Sequence, residues 1–397
     1  MHALPTTVQL YVILVGALAA TACSSTTVAS TPEAPAGCTA DATCAAPTPQ
    51  CDVAAKACVA LPPGNEIGYR DGSATSVTFT EIYKAGAAAK PTDLAFNPQR
   101  PGELWVIGYG DNSTHVGSGV DGAAPAWKRS VDPAAKHFMY KPPAMAMTDA
   151  GVFGICGDND NSQNDTDNLF MGPALFSMNP AIFATKTPDG LGSHVDMLHS
   201  SPLCRGIAHV SANKFWVFNA YDKALDLYDF RAPHEPGGDD HSDGSTYRYA
   251  LGKVKGATDG TSSHVAYDAD DKFLYVADTG NARVVRLDTT KGKKNGDLPR
   301  ISEPLEDEGI MTGTDVEVVV EAGMLQKPSG IELKDGLVYV TDAATSMFHV
   351  FDKTGAMIRS LSTGLPADSL SGFTFGPDGK IWFTDRVGGR VLRIDPQ

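Results

Sequence analysis

Four histidines, His115, His194, His199 and His264, carry the residue type best suited to a zinc-like ion: a neutral imidazole nitrogen that carboxylates such as Asp93, Asp278, Asp342 and Asp385 can orient from behind. Arg205 adds a cation able to steady developing negative charge. Two acidic stretches offer other metal chemistry. Asp158–Asn168 (DNDNSQNDTDN) is dense in the oxygen donors that calcium prefers, although the twelfth position is Leu169 where an EF-hand has its bidentate Glu. His234–Gly244 (HEPGGDDHSDG) offers two histidines and four carboxylates, a set suited to a structural ion. Against each stands the plain alternative: imidazoles that bond neighbouring strands, and acidic loops that are merely solvated. A G-x-S-x-G elbow, a Walker loop, H-E-x-x-H and a strand–G-x-G-x-x-G–helix unit are all absent from the sequence.

The elements that position these residues begin after an unusual N-terminal stretch. The chain has 397 residues, 42% of them hydrophobic, with a net charge of -15. That balance fits a globular protein and disfavours a nucleic-acid partner, because phosphates would be repelled. Leu10–Ala20 (LYVILVGALAA) is apolar over eleven residues, the length of a signal-peptide core and too short to span a bilayer. It runs into Ala20-Thr21-Ala22-Cys23, which reads both as a small-residue cleavage site and as a bacterial lipobox. Residues 1–22 are thus expected to be a signal peptide, with Cys23 lipidated and 23–37, rich in Ser, Thr, Pro and Ala, a flexible tether.

Cys38, Cys44, Cys51 and Cys58 follow at spacings too wide for a zinc knuckle, and in an exported chain predict two disulfides in a small module over 38–60. Cys156 and Cys204 are the remaining thiols. They are expected to form a third disulfide, with a thiol metal site as the sharper alternative.

Three segments near the C-terminus superimpose: His264–Asp288, Gly330–Asp352 and Gly372–Asp395. Each has an alternating apolar strand, a turn, a second strand with an aromatic residue, Asp three places later, and a third strand ending in Asp. The pairs are Tyr275/Asp278, Tyr339/Asp342 and Trp382/Asp385. Weaker copies start at Asp93, Ala144 and Gly206, so successive starts are 51, 62, 58, 66 and 42 residues apart. Six units, each too small to bury its own face, imply a six-bladed β-propeller. The last unit lacks an outer strand, whereas Val77–Tyr83 alternates like an orphan one. Pairing Val77–Tyr83 antiparallel to Arg390–Ile394 closes the ring and removes an exposed edge.

These motifs, clearest at Ala277-Asp278-Thr279-Gly280-Asn281-Ala282-Arg283-Val284, resemble NHL repeats over roughly residues 75–397. The resemblance implies an all-β, six-bladed propeller related to the peptidyl-hydroxyglycine amidating lyases and, more loosely, to the SMP-30/gluconolactonase group. Fold alone does not set function. In such a propeller the starts of the inner strands and the ends of the second strands share one face, the top, and the opposite turns share the bottom. His115, His194, His199, His264 and Arg205 are assigned to the top, as are Cys156 and Cys204; the His234–Gly244 loop is assigned to the bottom. The amidating lyases hold zinc by histidines on this face, with Arg and Tyr nearby; His115, His199, His264, Arg205 and Tyr221 are the matching types here.

The functional expectation is an exported, monomeric lipoprotein of the cell envelope, anchored at Cys23 to the outer membrane, whose propeller binds a protein, peptide or glycan through its top-face loops. Insertions in the first three blades motivate it. The rival is a metal-dependent lyase or hydrolase, using zinc or another divalent ion held by His115, His199 and His264, with Arg205 and Tyr221 beside it.

Overall fold

The computed structural model describes residues 37, 44–45, 50–52, 54–159, 172–299 and 304–396. Residues 1–22, expected to be a signal peptide, together with Cys23, Cys38 and most of the Asp158–Asn168 stretch, lie outside the described residues. Two units are distinguished, Met1–Leu61 and Pro62–Gln397. In the first, strands Gln50–Asp52 and Ala57–Val59 pair antiparallel, Cys44 is bonded to Cys58, and Cys51 is also disulfide-bonded.

The second unit is a six-bladed β-propeller, as the repeat analysis expects. From axis to rim, blade one comprises Pro91–Phe96, Glu103–Gly108, Ser113–Ser118 and Ala126–Ser130. Blade two comprises Met145–Met147, Val152–Ile155, Ala174–Ser177 and His194–Met197. Blade three has Cys204–Ser211, Lys214–Asn219, Ala224–Asp229 and Ser245–Tyr249. Blade four has Val265–Asp268, Phe273–Asp278, Arg283–Asp288 and Val316–Val320; blade five has Pro328–Lys334, Leu337–Asp342, Met347–Asp352 and Met357–Ser362. Blade six is built from Leu370–Phe375, Ile381–Asp385 and Arg390–Pro396, and its outer strand is Val77–Lys84. That closing strand pairs antiparallel with Arg390–Pro396 over its whole length, so the ring is fastened by backbone hydrogen bonds between the two ends of the unit.

The recurring aromatic on each second strand explains how the blades stack. Trp105, Phe153, Trp216, Tyr275, Tyr339 and Trp382 are all essentially buried. Each packs in an apolar cluster spanning adjacent blades; Trp105 and Phe153, for example, lie with ring centroids 5.1 Å apart. Burying so large a side chain contributes several kcal/mol, which a single blade could not obtain alone. The recurring Asp is a turn-former. Asp278 accepts from Asn281, Arg283 and the Lys255 backbone N–H, Asp385 from Arg390 and Gly388, and Asp342 from four backbone N–H groups at 326, 327, 344 and 345. Each therefore ties its own turn, and Asp278 and Asp342 also fasten the strand connection entering from the preceding blade.

The long connections inside blades two (178–193), three (230–244) and four (289–315) join third to outer strands and so lie on the bottom face. That placement is as expected for His234–Gly244 but not for insertions expected to supply top-face loops. Blade two has a further long connection, 156–173, between its second and third strands. The blade-four connection also leaves its own blade: Asp307–Thr312 adds to the outer edge of blade three in parallel register, and Lys293–Lys294 pairs onto it. An edge that would otherwise expose unpaired backbone is thereby covered. Among the described residues, no helix is long and apolar enough to cross a membrane.

Candidate functional site

The inner strands decide what the axis can hold. At or beside their upper ends stand the six repeat starts, Asp93, Ala144, Gly206, His264, Gly330 and Gly372, small side chains apart from one acid and one imidazole. The glycines permit the close approach. A Cβ on Gly372 would stand 2.1 Å from Asp93 Oδ1 and 2.8 Å from His264 Cε1, and one on Gly206 would stand 2.0 Å from the Ser263 carbonyl. His264 of blade four reaches across to Asp93 of blade one, Nδ1 to Oδ1 3.8 Å, and its Nε2–H donates to the Pro143 carbonyl of the connection entering blade two at 3.2 Å. Ser262 bonds the same carbonyl at 2.9 Å and Ser371 at 3.1 Å. Asp93 accepts from the Met145 and Leu94 backbone N–H groups. Burial pushes its carboxyl upward, opposed by His264 and these two N–H groups. The channel is thus plugged near the top face.

Below the plug is a funnel of about 720 Å³ lined by inner strands of all six blades, its mouth formed by first-to-second-strand turns such as Asn97–Pro98 and Gly376–Pro377. The residues two places beyond these starts line it: Ala95, Ala146, Ala208, Ala266, Thr374 and, in blade five, Glu332. The Glu332 carboxyl makes no hydrogen bond among the described residues. It is deep among protein atoms yet partly exposed to the funnel; burial, reinforced by the charge on Asp93, pushes its carboxyl up to about 8.

Above the plug is a bowl of about 420 Å³ on the top face, lined by Lys90, Asp259, Thr261, Asp368, Arg386 and Val387 among others. Lys327 bridges Asp259 at 2.8 Å and Asp368 at 2.9 Å. The Arg386 guanidinium lies 4.9 Å over the Tyr109 ring, and the Tyr109 hydroxyl donates to Asp158 at 2.6 Å. Neither Arg386 nor Lys90 has a carboxylate partner among the described residues. Among the described residues the bowl therefore offers two cations without a carboxylate partner, on a chain of net charge -15.

The histidine set expected to hold zinc is not brought together. His115 lies on the buried third strand of blade one, not in a loop; its Nδ1 meets the Tyr83 hydroxyl and its Nε2 the Ser113 hydroxyl, both at 2.9 Å, and burial pushes it down to about 4. His264 is spent in the plug. His199 is half-buried in the connection between blades two and three. Among the described residues, the only group of three or more within metal-ligand reach is Asp196, His234 and His241, with none of the expected three. Arg205 is 4% exposed and paired to Asp158 at 2.7 Å, with further bonds to the Ala257 and Thr261 carbonyls, so it braces the top face from beneath. Tyr221 is 48% exposed, in the turn between second and third strands of blade three.

His194 also differs from expectation: it begins the outer strand of blade two, at its bottom end, because that strand runs from bottom to top. Cys156 and Cys204 are joined by a disulfide between blades two and three, as expected. Glu332 and Asp196 were not singled out by the sequence reading. Glu332 has a visible signal, the one charged residue in a column of Ala and Thr; Asp196 has none.

No protein-family model matches the chain, and no curated protein matches it. Solved structures share its architecture. An auxiliary nutrient binding protein from Bacteroides ovatus aligns over 83% of this chain and 74% of its own, at 12% identity and TM-score 0.51. One from Bacteroides thetaiotaomicron aligns over 77% and 69%, at 11% identity and TM-score 0.50. Virginiamycin B lyase from Staphylococcus aureus aligns over 80% and 99%, at 12% identity and TM-score 0.46. At these identities the shared property is the fold, a six-bladed propeller of the kind that the NHL resemblance implies.

Proposed function

We propose that the protein is a ligand-binding propeller whose top-face bowl captures an acidic glycan or peptide. The observation that carries this reading is the pairing of Arg386 and Lys90, without carboxylate partners among the described residues, around a closed-bottomed concavity, with the Arg386 guanidinium 4.9 Å over the Tyr109 ring. A guanidinium held over an aromatic face keeps N–H donors for a carboxylate and is partly oriented before binding. The Asp259–Lys327–Asp368 bridge rims the same bowl and disfavours ligands of uniformly high negative charge. Nutrient binding is the role named for two propellers of this shape; the charge and form of the bowl are what support the assignment here.

Export and tethering through Cys23 belong to the same reading, supported by the Leu10–Ala20 run and the Ala-Thr-Ala-Cys sequence that follows it. An envelope-facing binder needs its top face presented outward, and a Ser/Thr/Pro-rich tether supplies reach without imposing orientation.

Titration of the full chain with uronic-acid oligosaccharides, acidic peptides and their neutral counterparts tests the proposal. Preference for the acidic members, weakened at least about tenfold by Arg386→Ala with unchanged thermal stability, supports it. Equal binding of neutral and acidic ligands, or binding indifferent to Arg386→Ala, sinks it.

A further inference from the structure

The His234–Gly244 loop and the outer strand of blade two meet at the bottom rim. The loop is laid along the strand by backbone bonds, His234 N–H to the Val195 carbonyl at 2.9 Å and Gly237 N–H to the His194 carbonyl at 2.8 Å. This contact brings two loop histidines to a carboxylate of another blade: Asp196, His234 and His241 each present a ligand atom within 4.8 Å of the others. The loop's own acids are not part of the group. Asp240 caps Ser242 and Asp243 accepts from the Ala232 N–H.

The His234 tautomer is dictated by its neighbour. His234 Nδ1 lies 2.7 Å from the Glu235 carbonyl, which can only accept, so Nδ1 carries the proton. His241 turns Nδ1 toward Asp196 Oδ1 at 3.3 Å, the separation of two ligand atoms on one ion. The His234 ring is left with a bare lone pair on Nε2. Among the described residues that atom is buried and makes no hydrogen bond, and Asp196 Oδ2 is buried and without a partner as well. Asp196 is 1% exposed and His241 7%. A buried imidazole lone pair on His234 and a buried carboxylate met only by a 3.3 Å contact from His241 leave acceptors poorly satisfied out of water, a cost of about 1–3 kcal/mol for each unmade bond. A cation satisfies His234 Nε2, the Asp196 carboxylate and a deprotonated His241 Nδ1 together, whereas a further acceptor satisfies none.

We propose that Asp196, His234 and His241 bind a divalent transition-metal ion of zinc type, which pins the blade-three loop to the outer strand of blade two. Two nitrogens and one carboxylate oxygen are a borderline donor set, suited to zinc rather than calcium. The Nδ1–H bond from His234 to the Glu235 carbonyl is the outer contact that fixes its ring orientation in such a site. Ligand atoms on one tetrahedral zinc stand about 3.4 Å apart, given bonds of about 2.0–2.1 Å, so the donors close inward by an ångström or so. His194 adjoins the group, its ring centroid 5.1 Å from that of His234, with Nδ1 committed to the Leu191 carbonyl and a buried, unbonded Nε2. It is the nearest fourth donor. The site is remote from the top-face bowl, and its role is to restrain a fifteen-residue loop that has little core of its own.

The test uses the untagged full chain, stripped with chelator and titrated with Co²⁺ and then Zn²⁺. The expected result is one equivalent of Co²⁺ with the visible bands of a tetrahedral site, displaced by Zn²⁺, and a Zn²⁺-dependent rise in Tm of several degrees. Asp196→Asn should weaken Co²⁺ binding at least tenfold, and His234→Ala/His241→Ala should abolish the bands. A wild-type chain that shows neither Co²⁺ bands nor Zn²⁺ uptake in equilibrium dialysis overturns the proposal, whatever the variants do. Bands retained in a folded double variant overturn it too.

Discussion

His264 and Asp93 stand at the upper ends of the inner strands of opposite blades, four and one, yet their side chains stand 3.8 Å apart across the propeller axis. A ring of six blades leaves a channel by default, and here the contact divides that channel into a top bowl and a bottom funnel. Without it, a ligand at the top face would sit over an open pore; with it, the bowl has a floor.

The plug depends on the absence of a side chain at Gly372. Gly372→Ala would put a methyl 2.1 Å from Asp93 Oδ1, and the neighbouring strands must shift to admit it. A loss of about 1–3 kcal/mol is expected, read as a lowered midpoint in urea. An unchanged midpoint would mean that the plug is looser than its geometry.

Glu332 sets a pH dependence of known sign. Its carboxyl, raised from 4.5 to about 8 in the fold, binds a proton that the unfolded chain has already released. Stability is therefore full below about 4.5 and declines as pH rises through 8. Glu332→Gln removes that slope. The variant should match the wild type near pH 4 and exceed it at pH 9 by a few kcal/mol, with the roughly 5 kcal/mol that the full shift represents as the upper bound, measured by urea unfolding at both values.

The Cys156–Cys204 bond closes a loop with sequence separation 48, which by loop-closure entropy contributes about 4 kcal/mol. Cys156→Ala/Cys204→Ala should lose much of that under oxidising conditions and little relative to wild type under strong reductant. Equal stability of the two proteins in both buffers would show that blade packing alone holds this junction.

Arg248 is 2% exposed and forks onto Asp226 with two bonds of 2.9 Å, reaches Asp222 at 2.9 Å, and donates to the Ser200 carbonyl at 2.6 Å. Arg248→Met leaves Asp226 buried without a cation and should cost about 3–5 kcal/mol. Adding Asp226→Leu should recover part of the loss, because the penalty lies in the orphaned charge. Thermal unfolding of the two variants checks the order.

What the sequence by itself determined is the repeating element. Alternation, the buried aromatic and the turn-forming Asp recur because every blade meets the same two neighbours, so local pattern and global fold agree. The closing strand was legible for a related reason: Val77–Tyr83 has a face to bury, and blade six lacks an outer strand to bury it. Only the tertiary structure decided which residues meet across blades. His115 carries a ligand's side chain but spends it on Tyr83 and Ser113, and His264 spends its own on the plug. Asp196 is an unremarked acid that becomes the partner of His234 and His241 because an inserted loop folds back onto the previous blade. Loop paths of that kind are set by long-range packing, which spacing along the chain does not encode; the repeat is periodic, and the sites lie where periodicity breaks.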